Sequence, residues 1–259
     1  MSESDRTACH ARPHERGVTL GVVRSVLTGR AVSFARPGVS SAIAKQPRSG
    51  PVRLEANGFD GDEQGDRRVH GGPDKAVHLY AHEHYRNWID DLGPLPVLAA
   101  PGAFGENLAM SGVLERDVCL GDELRVGSAV LQVSQARQPC WKLNHRFGIR
   151  DMARRVQDSG RTGWYCRVLR AGEVSAGDCL ELVARPFPDW PLSRLLELLY
   201  RSRAEESAQV LAARLPLVPS WQRLFEQRMS TRRIEDWHAR LGSDEARPPA
   251  DQTGSPDGR

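Results

Sequence analysis

A chain of 259 residues with 39% hydrophobic side chains can bury a sizeable core, as one large domain or as a larger domain with a small companion. Its formal net charge of +3 is too small for stable, general nucleic-acid binding, although a local basic cluster can still grip a phosphate. Five cysteines, an odd number without CxxC spacing, exclude a zinc ribbon, a full disulfide framework and an iron–sulfur loop, so reduced thiols are expected.

The opening segment, MSESDRTACHARPHERG, lacks the apolar middle of a secretory signal, and no run of about 18 apolar residues follows. A cytoplasmic protein without membrane association is expected. Residues 1–16 and 242–259 are polar and rich in Pro, Gly and charge, and are expected to be loose tails because too little apolar surface is available to offset their ordering.

From Val18 to Arg185 the chain reads as a mainly β body with inserted helices (α+β). VTLGVVRSVLT, PVRLEANGFDGD, KAVHLYA, ELRVGSAVLQVS, GWYCRVLR and CLELVAR carry the β-branched content and spacing of barrel or sandwich strands. HEHYRNWIDDL and GIRDMARRVQDSG read as helices. VCLGDELRVG and VSAGDCLELV share a Gly-Asp turn followed by an alternating strand, which predicts two equivalent entries into one closed barrel. After PFPDWP the pattern changes. PLSRLLELLYRS, EESAQVLAARL and PSWQRLFEQRMS have helical spacing, so a body at 17–185 and a three-helix domain at 186–241 are expected. So small a helical unit must lean on the barrel or on a partner subunit.

Three stretches carry chemistry. In SQARQPCWKLNHRFG, Cys140 is flanked by Arg137, Lys142 and Arg146, and nearby cations favour a thiolate, the form that ligates a soft metal or attacks an electrophile. Inert burial is the bland alternative, and it suits Cys119, Cys166 and Cys179 on their apolar strands. In GDRRVHGGPDKAVHLY, Gly71-Gly72-Pro73 lies between His70 and Lys75, so backbone that admits a close ligand is bracketed by an imidazole and an ammonium. The same residues would serve as a turn into the next strand. His82 and His84 lack the spacing of a helical zinc pair, and an exposed helix start is expected for them. In PGAFGENLAMSG, Glu106 and Asn107 follow Gly105, where they would read the edge of a heterocycle or form an Asx-type turn.

HGGPDKAVHLY, PGAFGENL followed by GDELRVG, and SQARQPCWKLN, in this order, resemble the MOSC family, the domain at the C-terminus of molybdenum-cofactor sulfurases. SAIAK at 41–45, GDEQGDRRVHGG and the helical tail resemble its YiiM branch. The resemblance implies a MOSC β-barrel with a small C-terminal three-helix domain, a molybdenum cofactor (molybdopterin), and Cys140 as the sulfur ligand to molybdenum. It further implies cofactor contacts from Lys45, His70, Gly71, Gly72, Lys75, Asn107 and Arg137, and reduction of N-hydroxylated purine bases such as 6-hydroxylaminopurine. His70, with an ordinary pKa near working pH, would donate the proton to the departing hydroxyl.

A two-electron reductase must be reloaded, yet the chain has no cysteine array for an iron–sulfur centre and no GxGxxG after a strand. A separate flavin or iron–sulfur reductase is the expected electron donor, with the helical tail as its docking surface or as a homodimer contact. Two other readings stay open at this point: a sulfur carrier using a Cys140 persulfide, and a non-catalytic module that holds a phosphorylated ligand in a basic barrel mouth.

Overall fold

Seven strands close on one another in the computed structural model, which describes residues 17–65 and 71–242. The tails expected at 1–16 and 242–259 lie outside those residues, apart from Gly242. The strands are β1 (Val18–Thr28), β2 (Val77–Ala81), β3 (Leu108–Ser111), β4 (Glu123–Val126), β5 (Ala129–Ala136), β6 (Trp164–Arg170) and β7 (Cys179–Ala184). Around the wall the order is β7-β4-β5-β6-β2-β3-β1, and β1 pairs back onto β7 through Val18↔Leu182 and Val22↔Cys179. Closure leaves no unpaired edge in the wall. Only β2 and β3 run parallel, so their connection must cross over, and it does so through the helix Glu83–Leu92.

Side chains alternate across a strand, and this period of two fills the barrel. Val77 and Leu79, Leu124 and Val126, Leu131 and Val133, and Trp164 and Cys166 all belong to one buried cluster. The paired Gly-Asp turns enter this wall identically. Asp122 accepts the Cys119 backbone N–H at 2.9 Å, Asp178 accepts that of Ser175 at 2.8 Å, and the strands that follow are direct antiparallel neighbours. PVRLEANGFDGD, by contrast, stands outside the wall. Its strands Val52–Glu55 and Gly58–Phe59 form a hairpin that pairs with Gly172–Val174.

A second apolar layer covers the outside of β2. Phe104 stacks on Tyr80 with ring centres 4.2 Å apart, and Tyr85, Trp88, Leu143 and Phe147 pack around them. The C-terminal segment forms helices Leu192–Tyr200, Ser207–Ala212 and Pro219–Thr231, and a short helix His238–Leu241. Leu195, Leu199, Val210, Trp221 and Phe225 join the barrel residues in a single cluster, so the helices have no core of their own. Burial of Phe225 alone contributes roughly 1.5–3 kcal/mol. Among the described residues no helix is long and apolar enough to cross a membrane.

Candidate functional site

Cys140 opens on a cleft of about 600 Å³ whose lining also includes Lys45, Lys75, Asn107, Arg137 and Lys142. The cleft lies on the outer face of the barrel wall, not in a barrel mouth. Alternation decides this: Val77, Leu79, Trp164 and Cys166 point into the core, so the intervening His78 and Tyr165, which line the cleft, point out. Strand register then fixes the neighbours. His78 stands opposite Tyr165 and Tyr165 opposite Gln135, while the Asn107 side chain accepts the His78 backbone N–H at 3.1 Å.

Each wall has its own support. Cys140 lies two residues before the helix Lys142–Phe147 and is only 8% exposed, in a cleft whose lining is mostly polar, charged and aromatic. Lys142 donates to the Ser40 carbonyl at 2.9 Å, tying this helix to the opposite rim. Arg137 leaves the end of β5 with its backbone N–H bonded to the Gly163 carbonyl at 3.0 Å. Gly163 is held in turn by Glu115, which accepts its N–H at 2.7 Å and pairs with His84 at 2.8 Å. His84 is therefore a buried support of the site, not part of an exposed helix start. Its place on the inward face of an amphipathic helix, one residue before Tyr85, was the available signal.

The loop 101–107 is stapled from behind. Glu106, fully buried, takes a hydrogen bond from the Tyr85 hydroxyl and accepts the backbone N–H groups of Gly102 at 2.7 Å and Phe104 at 3.1 Å. It faces its own loop and no heterocycle. Gly102 and Gly105 take φ of 106° and 77°, and a Cβ on either would lie 2.9 Å from the segment at 43–45, so only glycine allows this approach.

The floor is an acid–base knot. Asp62 pairs with Lys45 and accepts the Gly29 backbone N–H at 2.8 Å and the Asn107 Nδ2 at 2.8 Å. Asn107 also donates to the Leu27 carbonyl at 3.2 Å, so both amide protons are spent on protein. Burial lowers the Lys45 pKa, and the Asp62 carboxylate opposes that shift. Burial likewise pushes His78 down to about 3, helped by the Arg137 charge, so this imidazole is neutral near pH 7. Burial raises the Tyr165 hydroxyl, opposed by Arg137. Asp62, His78 and Tyr165 escaped the sequence reading because the first sits in an acidic turn and the others sit within strands.

Several cations share the cleft with Cys140. Lys75, with Asp74 acting on it, Arg137 and Lys142 line it, while Asp62 is committed to Lys45, and Glu63 to the Ala31 N–H at 2.8 Å. The Arg137 Nη1 is buried without a partner. Gly71 and Gly72 are half-buried beside the cleft but not in its lining, and Gly72, with φ 95°, precedes the turn Pro73–Lys75. His70 lies outside the described residues. Burial raises the pKa of the free thiols Cys119 and Cys166, while Cys179 is disulfide-bonded, against the expectation of reduced thiols throughout.

Comparison with known proteins decides the family. Residues 66–181 match the MOSC domain and residues 190–232 match the YiiM-like, 3-alpha helix domain. Protein YiiM of Escherichia coli (strain K12) is 38% identical over 217 residues, covering 83% of this chain and 96% of that protein. The chain belongs to the MOSC family, in its YiiM-like branch. The crystal structure of YiiM from Escherichia coli superposes with a TM-score of 0.71 at 33% identity, covering 86% of this chain and 99% of that one. YiiM from Geobacillus stearothermophilus gives a TM-score of 0.67 at 31% identity, covering 81% and 99%. A longer protein of Gibberella moniliformis named "Reductase" is 36% identical over 211 residues, which are 81% of this MOSC chain and 37% of that relative.

Proposed function

We propose that this MOSC protein is a molybdenum-cofactor-dependent reductase of N-hydroxylated compounds, with N-hydroxylated purine bases such as 6-hydroxylaminopurine as its substrates. One observation carries the reading: the Cys140 thiol lines a cleft together with Lys75, Arg137 and Lys142, and the buried Arg137 Nη1 has no partner among the described residues. Among the described residues no three of His, Cys, Asp and Glu gather as a metal cluster, so a metal at Cys140 would draw its other donors from a ligand. A sulfur-rich pterin with an anionic phosphate answers both requirements. The residues present therefore fit the group.

Cys140 would ligate the molybdenum, while Arg137, Lys75 and Lys142 would offset the ligand's negative charge. When bound, the cofactor supplies the electron pair that turns R–NH–OH and two protons into R–NH2 and water. Lys45, Asp62 and Asn107 act behind that surface, holding the floor rigid through their mutual bonds. His78, neutral at working pH, is suited to accept or donate one hydrogen bond but not to act as a standing acid. His70 remains our candidate proton donor. The name of the fungal relative is in keeping with a reductase. Electrons would arrive from a separate flavin or iron–sulfur reductase in the cytoplasm.

The test is reduction of 6-hydroxylaminopurine by protein from a host that makes molybdenum cofactor, with a chemical reductant as electron source. Wild type should turn over and Cys140→Ser should not, at unchanged thermal stability. Full activity in metal-free protein would reject the proposal.

A further inference from the structure

A second cleft, of about 840 Å³, opens where the helical segment meets the barrel. One side is the helix Leu192–Tyr200, through Ser193, Leu196 and Tyr200, and the other is the loop at 114–116 after β3 with the end of the helix Met152–Ser159. It shares no lining residue with the Cys140 cleft. Space of this size holds a small organic molecule.

Two lining side chains are buried with a polar atom unspent. His84, 6% exposed, donates from Nε2 to Glu115 at 2.8 Å, and its ring stands edge-on to Tyr80 with centres 5.5 Å apart, so its orientation is fixed from two sides. The His84 Nδ1 has no partner among the described residues. With the proton on Nε2, Nδ1 of the neutral ring is an acceptor. Gln157, also 6% exposed, likewise leaves its Oε1 without a partner among those residues. Glu115 is already spent on His84 and on the Gly163 N–H at 2.7 Å. Buried acceptors left unpaired are costly, so each calls for a donated hydrogen.

The rest of the lining narrows the donor. Arg161 pairs with Asp91 at 2.6 Å and lies over the Trp88 ring at 4.7 Å, Arg201 donates to the Asp158 carbonyl, and Arg116 stands 3.8 Å from Asp117. Three guanidinium groups disfavour a cationic guest, and each already has an oxygen partner. Leu114, Leu196 and Tyr200 offer apolar surface to a flat ring.

We propose that this interdomain cleft is a second binding site, for a small flat heterocycle carrying a neutral amide or amino group whose N–H donors meet His84 Nδ1 and Gln157 Oε1. It is independent of the reading of the Cys140 cleft and of any metal. The test titrates the full chain at pH 8 with nicotinamide, and separately with nicotinate, which has a carboxylate in place of the amide, while backbone amide resonances are followed. Nicotinamide should move the Gly160, Arg161 and Ser193 signals along one saturating curve and leave Ala42 and Gly105 of the other cleft in place. Nicotinate should bind roughly tenfold more weakly or worse, having no N–H to donate.

Gln157→Met keeps the length of the side chain and removes the amide, so nicotinamide affinity should fall roughly tenfold while the thermal midpoint does not drop. Ser193→Trp, at an exposed helix position, should abolish binding by filling the cleft. No saturable shift at Gly160, Arg161 and Ser193 in wild type, tighter binding of nicotinate, or equal affinity in wild type and Gln157→Met overturns the proposal. Shifts centred on Ala42 and Gly105 would assign the probe to the Cys140 cleft and overturn it as well.

Discussion

Replacing Asp62 by Ala tests the floor of the cleft most sharply. Its carboxylate is 5% exposed and the Lys45 side chain 8%, so the substitution strands a buried ammonium and removes an acceptor from the Gly29 N–H and from Asn107. Breaking a buried pair by deleting one partner costs about 3–5 kcal/mol, much of it the desolvated charge left behind. The loss should therefore depend on pH. Asp62 opposes the downward shift that burial imposes on Lys45, so without it the lysine pKa falls further below 10.5. The unfolded chain then binds more protons than the folded one, and the variant should gain stability as pH rises toward 10.5. Urea unfolding at several pH values measures both effects. Lys45→Met together with Asp62→Ala should recover more than half of the loss, because no buried charge remains. A single-variant cost below about 1 kcal/mol, or a double variant no more stable than Asp62→Ala, would refute the argument.

Two further predictions concern the walls. His78 is neutral in the folded protein down to about pH 3 but takes a proton near 6.5 when unfolded, so its contribution is present above 6.5 and lost as pH falls from 6.5 toward 3. The decline is on the order of 4–5 kcal/mol; acid titration of unfolding free energy should show a shallower slope in His78→Gln, and identical slopes would contradict the assignment. Glu115→Ala strips the acceptor from the Gly163 N–H and leaves His84 without its partner, at a cost of about 2–3 kcal/mol. Because Gly163 carries the Arg137 backbone, binding of inorganic pyrophosphate in the Cys140 cleft should weaken too; unchanged binding would show that Arg137 is placed without this relay.

The barrel was readable in the sequence where local rules suffice. Alternation in KAVHLYA, ELRVGSAVLQVS and GWYCRVLR sends one face inward, and the two Gly-Asp turns set neighbouring strands by the same side-chain cap. Motif resemblance singled out Lys45, Lys75, Asn107, Arg137 and Cys140, which share one cleft. Their jobs were not readable. Asn107 and Lys45 face each other through Asp62, an acid whose loop looked like an ordinary solvated turn. His78 and Tyr165 become neighbours only through the register of β2 against β6, strands more than eighty residues apart. The short helix His238–Leu241 returns to the barrel at Trp141, almost a hundred residues back along the chain, after the Arg228–Glu235 ion pair. Such placements come from long-range pairing, which composition and periodicity do not encode.

X-ray absorption at the molybdenum edge addresses the sulfur of Cys140 itself. Protein loaded in a cofactor-making host should show one sulfur neighbour more in wild type than in any metal retained by Cys140→Ser. Identical sulfur counts in the two proteins would contradict the account.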